Sequence, residues 1–163
     1  MLLYHASPAV RMKCLPPSRA GPDNHAIMST IASRWIALTP YLLSLLRIMA
    51  AFVFVEYGTG KMLAWPGPLM PGGGTAPLMT QAGIAGLLEM VGGGLLLVGL
   101  FTRPVAFLLS GEMAFAYFIG HAGKGFWPML NGGAEAVTFC FLWLYISAAG
   151  AGPWSLDAAL KRK

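Results

Sequence analysis

Glutamate carries most of the chemistry this chain could do. Glu56, Glu89, Glu112 and Glu135 each stand inside a separate apolar stretch, and the whole chain holds only 6 acidic side chains in 163 residues. An ionisable group at the centre of a bilayer costs roughly 2.5–3.5 kcal/mol or more, so it faces protein or water and marks a pathway, a relay or a counter-ion. A carboxyl so placed can bind a cation, carry a proton or hydrogen-bond a polar head group. One glutamate near a helix end would be an accident of sequence, whereas one in each of four stretches is a pattern. The other groups able to join them are Arg47, Tyr57, Lys61, His121 and Asn131.

The elements that must position these residues are transmembrane. Apolar residues make up 56% of the chain and charged ones 10%, against about 25% charged in a soluble domain. One soluble core of this size does not need that excess, so the excess faces lipid. Four spans are predicted, over residues 40–61, 82–101, 104–121 and 132–150. The first is ~33 Å long at 1.5 Å per residue, enough for a hydrocarbon core of about 30 Å. Residues 64–81 hold Pro66, Pro68, Pro71, Gly72, Gly73, Gly74 and Pro77 and read as an irregular surface loop. Thr102 and Arg103 make a very short connection, with Pro104 opening the next helix. Residues 1–39 read as a disordered or interfacial extension, and residues 40–160 as one membrane domain. The fold class is therefore all-α, an integral membrane four-helix bundle.

Arg11, Lys13, Arg19 and Arg34 precede the first span, Arg103 joins the second to the third, and Lys161, Arg162 and Lys163 follow the fourth. All eight lie on one side of an even number of spans, while Lys61 and Lys124 lie on the other. Both termini are accordingly expected in the cytoplasm. No basic-aromatic pattern points to nucleic acid. Cys14 and Cys140 are far apart, with no CxxC and no Cys/His spacing for a metal.

Depth sorts the buried charges. Counted from the expected span ends, Arg47 lies ~10 Å and Glu112 ~12 Å from the inner side. Opposite in sign and matched in depth, they are expected to form a structural ion pair between the first and third spans. In the outer half, Glu56 lies ~8 Å, Glu89 ~10 Å and Glu135 ~5 Å from the surface. Lys61 and His121 stand at that rim, which leaves a surplus of acid. Nine residues separate Arg47 from Glu56, so the two occupy opposite helix faces. Gly86, Glu89 and Gly93 form a stripe along which a neighbouring backbone can approach the acid. The expected ligand-binding set is Glu56, Tyr57, Lys61, Glu89, His121, Asn131 and Glu135, centred on Glu89; the alternative is that Glu135 merely favours the N-terminus of the fourth span after Asn131 and that Glu89 bonds to neighbouring backbone.

These residues fall in a series of motifs. Arg47, Glu56-Tyr57-Gly58-Thr59-Gly60-Lys61, Gly86-Leu87-Leu88-Glu89-Met90-Val91-Gly92-Gly93, Gly99-Leu100-Phe101-Thr102-Arg103-Pro104, Gly111-Glu112-Met113-Ala114, His121 and Asn131-Gly132-Gly133-Ala134-Glu135 follow in order. Together with Gly152-Pro153-Trp154-Ser155-Leu156-Asp157 they resemble the bacterial DoxX family over about residues 40–160. The resemblance implies a multi-pass protein of the bacterial cytoplasmic membrane. It also implies a link to membrane oxidoreductase complexes, since the family takes its name from a small subunit of a thiosulfate:quinone oxidoreductase. Tyr57 stands where family members often carry His, and a phenol with a reference pKa near 10 is a poorer proton carrier.

Three functions follow as expectations. The first is an accessory or quinone-interacting subunit of a membrane redox system, with a bound quinone and a redox partner. The chain itself has no haem-ligand pair, iron–sulfur Cys set or dinucleotide glycine motif, so electrons would come from that partner. The second is a small proton- or cation-coupled transporter, which needs access from both sides. The third is a structural assembly subunit, alone or as a homo-oligomer, whose glutamates only hold helices together.

Overall fold

The computed structural model describes residues 24–162. Two compact units divide the chain, Met1–Ala37 and Leu38–Lys163. Of the first, only residues 24–37 are described, and they are helical. The expectations for residues 1–23 and for Cys14 lie outside the described residues.

Six α-helices make up the described chain: α1 (Asn24–Leu63), α2 (Gln81–Val98), α3 (Thr102–Gly120), α4 (Pro128–Asn131), α5 (Ala134–Ala149) and α6 (Leu156–Leu160), with a single 3₁₀ turn at Ala122–Lys124. Three segments, Ala32–Leu63, Gln81–Val98 and Thr102–Lys124, are long and apolar enough to cross a membrane, and Ala134–Ala149 is a shorter apolar helix. An apolar helix stands at each of the four expected positions, the fourth too short to count among the three spanning segments, and residues 64–80 form the expected irregular loop. The start of the first span differs. Pro40 does not open α1 but lies inside it, and Ser44 Oγ donates to the Pro40 carbonyl at 3.1 Å.

Local chemistry explains where the helices stop and start. Thr80 caps α2, its hydroxyl accepting the Gly83 N–H at 3.1 Å. At the other end Gly99 adopts φ 71°, and Leu100 N–H returns to the Leu95 carbonyl at 2.9 Å, the bond pattern of a Schellman ending. The first N–H groups of α3 find their cap far along the chain. Asp157 Oδ1 accepts from Phe101 N–H at 2.9 Å, and Asp157 Oδ2 from Thr102 N–H at 2.8 Å. Arg103 Nη1 donates to the Ala148 carbonyl at 2.7 Å, covering the C-terminal end of α5.

Packing follows the small residues. On α1, Gly58 lies so close to α2 that a Cβ there would run into the backbone of Gly86 and Met90. A Cβ on Gly93 would sit 2.9 Å from the Val55 side chain and 3.5 Å from the Ala51 carbonyl oxygen. The glycine stripe of α2 thus receives α1, as its spacing predicts. Across the bundle, Phe54 of α1 meets Trp143 of α5 edge-on at 5.4 Å between ring centroids. Leu96, Leu109, Trp143 and Ile146 are fully buried around them.

Arg47 is fully buried, and it does not pair with Glu112. Its Nε donates to the Ala151 carbonyl at 2.9 Å, Nη2 to Trp154 at 2.6 Å, and Nη1 to Leu97 at 3.0 Å and to Leu96. The expected ion pair fails because Pro40 does not mark the start of the helix, α1 beginning well before it. Arg47 is level with the last turn of α2, while Glu112 lies ten residues into α3, ~15 Å from its start. Arg47 instead clamps the segment after α5 to the end of α2. Gly99 and Gly152, with φ 71° and 74°, give this clamp room: a Cβ on Gly99 would lie 3.0 Å from the guanidinium, and one on Gly152 would strike Ser44.

Candidate functional site

A cavity of about 300 Å³ opens between the helices in the half of the bundle away from Arg47. Phe54, Tyr57 and Lys61 of α1, Ala85 and Glu89 of α2, and Glu112, Met113 and Ala116 of α3 line it. His121, Gly132, Glu135, Ala136 and Phe139 complete the wall, and Leu69 of the irregular loop reaches in from the side. Every long helix contributes, which is the convergence the four separate glutamates suggested.

Helical geometry places the two deepest acids together. Glu89 lies nine residues before the end of α2 and Glu112 ten residues after the start of α3. Both are therefore ~14–15 Å from the tight turn that joins the two helices. Glu89 is 2% exposed, and its Oε1 accepts from Lys61 Nζ at 2.6 Å, the one ion pair among the described residues. Glu89 Oε2 and both oxygens of Glu112 are buried without a hydrogen-bond partner. Five buried side-chain polar atoms lack a partner among the described residues, and these carboxyls supply three of them, Thr102 Oγ1 and Trp143 Nε1 the others. Native interiors leave few such groups, so each one calls for an explanation.

The rim is built from the loop before α5. Asn131 is buried, and its Nδ2 donates to the Gly125 carbonyl at 2.8 Å while its Oδ1 accepts from Gly133 N–H at 2.8 Å. The Asn131 carbonyl lies 3.2 Å from His121 Nδ1, and the Tyr117 ring stacks on the imidazole. Gly133 allows this closeness, since a Cβ there would lie 2.7 Å from the Tyr117 ring and 2.8 Å from His121 Cβ. Asn131 and Tyr117 thus position His121 from behind and do not line the cavity. Glu135 stands at the exposed rim, with its carboxyl beside the Tyr57 hydroxyl.

Five of the seven residues expected to bind a ligand therefore line one cavity: Tyr57, Lys61, Glu89, His121 and Glu135. Glu56 is not among them. It faces a neighbouring cavity of about 340 Å³ against Pro66, Gly67 and Pro68, and shares with the first only the walls Tyr57 and Leu69. Glu112 takes its place. The signal for it was in the sequence, because Glu89 and Glu112 are equidistant from the Leu100-Phe101 turn, and a helical hairpin must bring equidistant residues level.

A small bundle of apolar helices with an acidic interior cavity defines a multi-pass protein of the bacterial inner membrane. The chain belongs to the DoxX family, whose model matches residues 42–122. An uncharacterized protein of Haemophilus influenzae is 45% identical over 129 residues, covering 76% of this chain and 94% of that protein. The inner membrane protein YphA of Escherichia coli is 32% identical, covering 71% of this chain and 81% of that protein. An uncharacterized membrane protein of Mycobacterium tuberculosis is 28% identical, covering 85% and 95%. No solved structure matches.

Proposed function

We propose that this protein is an accessory subunit of a membrane redox system, and that its cavity holds the head group of a neutral, lipid-soluble molecule of quinone type. One observation carries the reading: Glu89 Oε2 and both Glu112 oxygens are buried, without partners, and belong to residues that line the same cavity. Leaving a buried polar group unsatisfied costs about 1–3 kcal/mol, more if it is charged. A guest with hydrogen-bonding oxygens offsets that cost. Glu112 in its acid form donates to a carbonyl-type oxygen, and Lys61, held beside Glu89 by their 2.6 Å contact, donates with an N–H that Glu89 does not take. Such a guest, when bound, supplies the capacity to take up electrons and protons. This chain's share is to orient the ring, shield it from water with Leu69 and Phe54, and hold a proton at Glu112. Electrons would reach the site from a partner protein.

A transporter would need a route to the other side. Below the cavity, Leu96, Leu109, Trp143 and Ile146 form a fully buried apolar layer, and Arg47 is tied to backbone carbonyls beneath it. This arrangement favours a pocket with access from one side. With both termini cytoplasmic, that side is the outer one. Reporter fusions after Lys163 and within residues 71–74 should report opposite sides, and a periplasmic C-terminus would reverse the orientation.

Purification into lipid nanodiscs followed by mass spectrometry of the extracted lipids tests the function. Quinone is expected to accompany the native protein and to be lost from Glu112→Gln, which keeps shape and removes the acid. Equal quinone with native protein and with a Glu89→Gln, Glu112→Gln double variant would reduce the cavity to architecture.

A further inference from the structure

A second and larger cavity, about 920 Å³, runs along the outside of α2 and α3. On α2 it is lined by Gln81, Ile84, Ala85 and Leu88, spaced i, i+3, i+4, i+7, so they share one helix face. On α3 its wall is a continuous stripe from Pro104 through Phe107, Leu108, Gly111 and Phe115 to Ala116, which spans ~18 Å of helix. Ile84, Phe107, Leu108 and Phe115 are all more than half exposed, which at membrane depth means exposed to lipid.

The groove is not separate from the acidic cavity. Ala85, Glu112 and Ala116 line both. The wall between a lipid-facing groove and a polar interior is therefore two alanines and one carboxyl without a partner. Small side chains at that point leave a thin barrier.

We propose that the α2–α3 groove is a lateral entrance and tail-binding site. A molecule with a neutral, oxygen-bearing ring and a linear apolar tail would enter from the bilayer between Ala85 and Ala116. Its ring would rest against Glu89, Glu112 and Lys61, and its tail would lie along the α3 stripe. Charge selects the head group. Glu89, Glu112 and Glu135 line the cavity against the single ammonium of Lys61, so an anionic phosphate head is disfavoured and a neutral hydrogen-bond acceptor is favoured. The groove thereby narrows the ligand to a neutral ring with a long apolar tail, as in a lipid quinone, rather than a phospholipid or a water-soluble ring. This rests on the reading that the cavity binds a head group.

Gly111 offers a clean block. It lines the groove one residue from Glu112, and a Cβ added there meets nothing within 4 Å. A large side chain can thus fill the groove without displacing backbone. The test measures equilibrium binding, in lipid nanodiscs, of a tail-less dimethoxybenzoquinone and of the same ring carrying an isoprenoid tail. Native protein should bind both, the tailed ring at least about tenfold more tightly. Gly111→Trp should abolish that advantage and leave the tail-less ring within about twofold of native. Leu108→Trp, on the same stripe, should act in the same direction, while Gly94→Trp, which adds bulk at another open helical glycine outside the groove, should change neither ligand.

Unchanged binding of the tailed ring by Gly111→Trp would overturn the entrance and leave the cavity reading intact. Loss of both rings alike in Gly111→Trp and Leu108→Trp, with Gly94→Trp native, would also overturn it, because the groove would then support the cavity rather than a tail. Failure of native protein to bind either ring would instead remove the head-group reading on which the entrance rests. An anionic phospholipid recovered with native protein but not with Gly111→Trp would overturn the choice of a neutral head.

Discussion

Both ends of this bundle bury charge, and they treat it in opposite ways. At the end near the termini of α2 and α5, every nitrogen of the Arg47 guanidinium donates to a backbone carbonyl, and both Asp157 oxygens accept backbone N–H groups. In the other half, Glu89 spends one oxygen on Lys61, and Glu112 spends none. Saturated charge holds a fold together. Charge left without partners, grouped in one cavity, is poised for something that is not part of the chain.

If that contrast is right, the largest loss of stability should come from Arg47. Arg47→Ala orphans up to four carbonyls at about 1–3 kcal/mol each, a total comparable to the whole margin of a small domain, about 5–15 kcal/mol. Folded yield after detergent extraction should collapse, with no loss specific to ligand binding. A normal yield would show that the carbonyls are satisfied in another way.

Lys61→Met should come next. It leaves Glu89 buried without its ammonium, a loss of roughly 3–5 kcal/mol for a buried pair. The companion Glu89→Gln should be milder, because Lys61 is 23% exposed and can turn toward water. A cycle of the single and double variants, read by thermal unfolding, should show strong coupling; additive effects would mean that the 2.6 Å contact contributes little.

Asp157 should have a smaller effect, and one that depends on pH. Partial burial pushes its carboxyl up, but the Thr102 and Phe101 N–H groups and nearby Lys161 together hold it below the usual carboxylate range. A lowered folded pKa means stabilisation that is present above the ordinary value of about 3.9 and fades as pH falls through the folded value. Asp157→Asn should cost about 0.5–2 kcal/mol near neutrality, as for a lost helix cap. The gap between variant and native melting temperatures should narrow on acidification below about pH 4. A gap independent of pH would assign the loss to packing.

The same contrast explains what could be read from the sequence. The spans, the Pro- and Gly-rich loop and the Glu89 stripe were legible because hydropathy and spacing alone determine them. Tyr57, Lys61, Glu89, His121 and Glu135 line one cavity because they lie near one depth. The surroundings of Arg47, Glu112 and Glu56 were not legible, for two physical reasons. Depth along a helix needs a true starting point, and Pro40 is not one, because it lies inside α1 rather than at its start. Depth also says nothing of rotation, and rotation turns Glu56 toward Pro66–Pro68 rather than toward Glu89. Symmetry about the Leu100-Phe101 turn places Glu112 level with Glu89, because a hairpin supplies its own origin.

Glu112 separates architecture from function most directly, through the thermal midpoint of Glu112→Leu in nanodiscs measured alongside its bound lipid. If the carboxyl is held without a partner for a guest, replacing it with an apolar side chain of similar size removes a buried polar cost of about 1–3 kcal/mol. The account predicts a higher melting temperature than quinone-free native protein, together with failure of the variant to bind the quinone. A lower melting temperature with the quinone retained would mean that Glu112 braces the helices, and would contradict the assignment of this cavity as the working site.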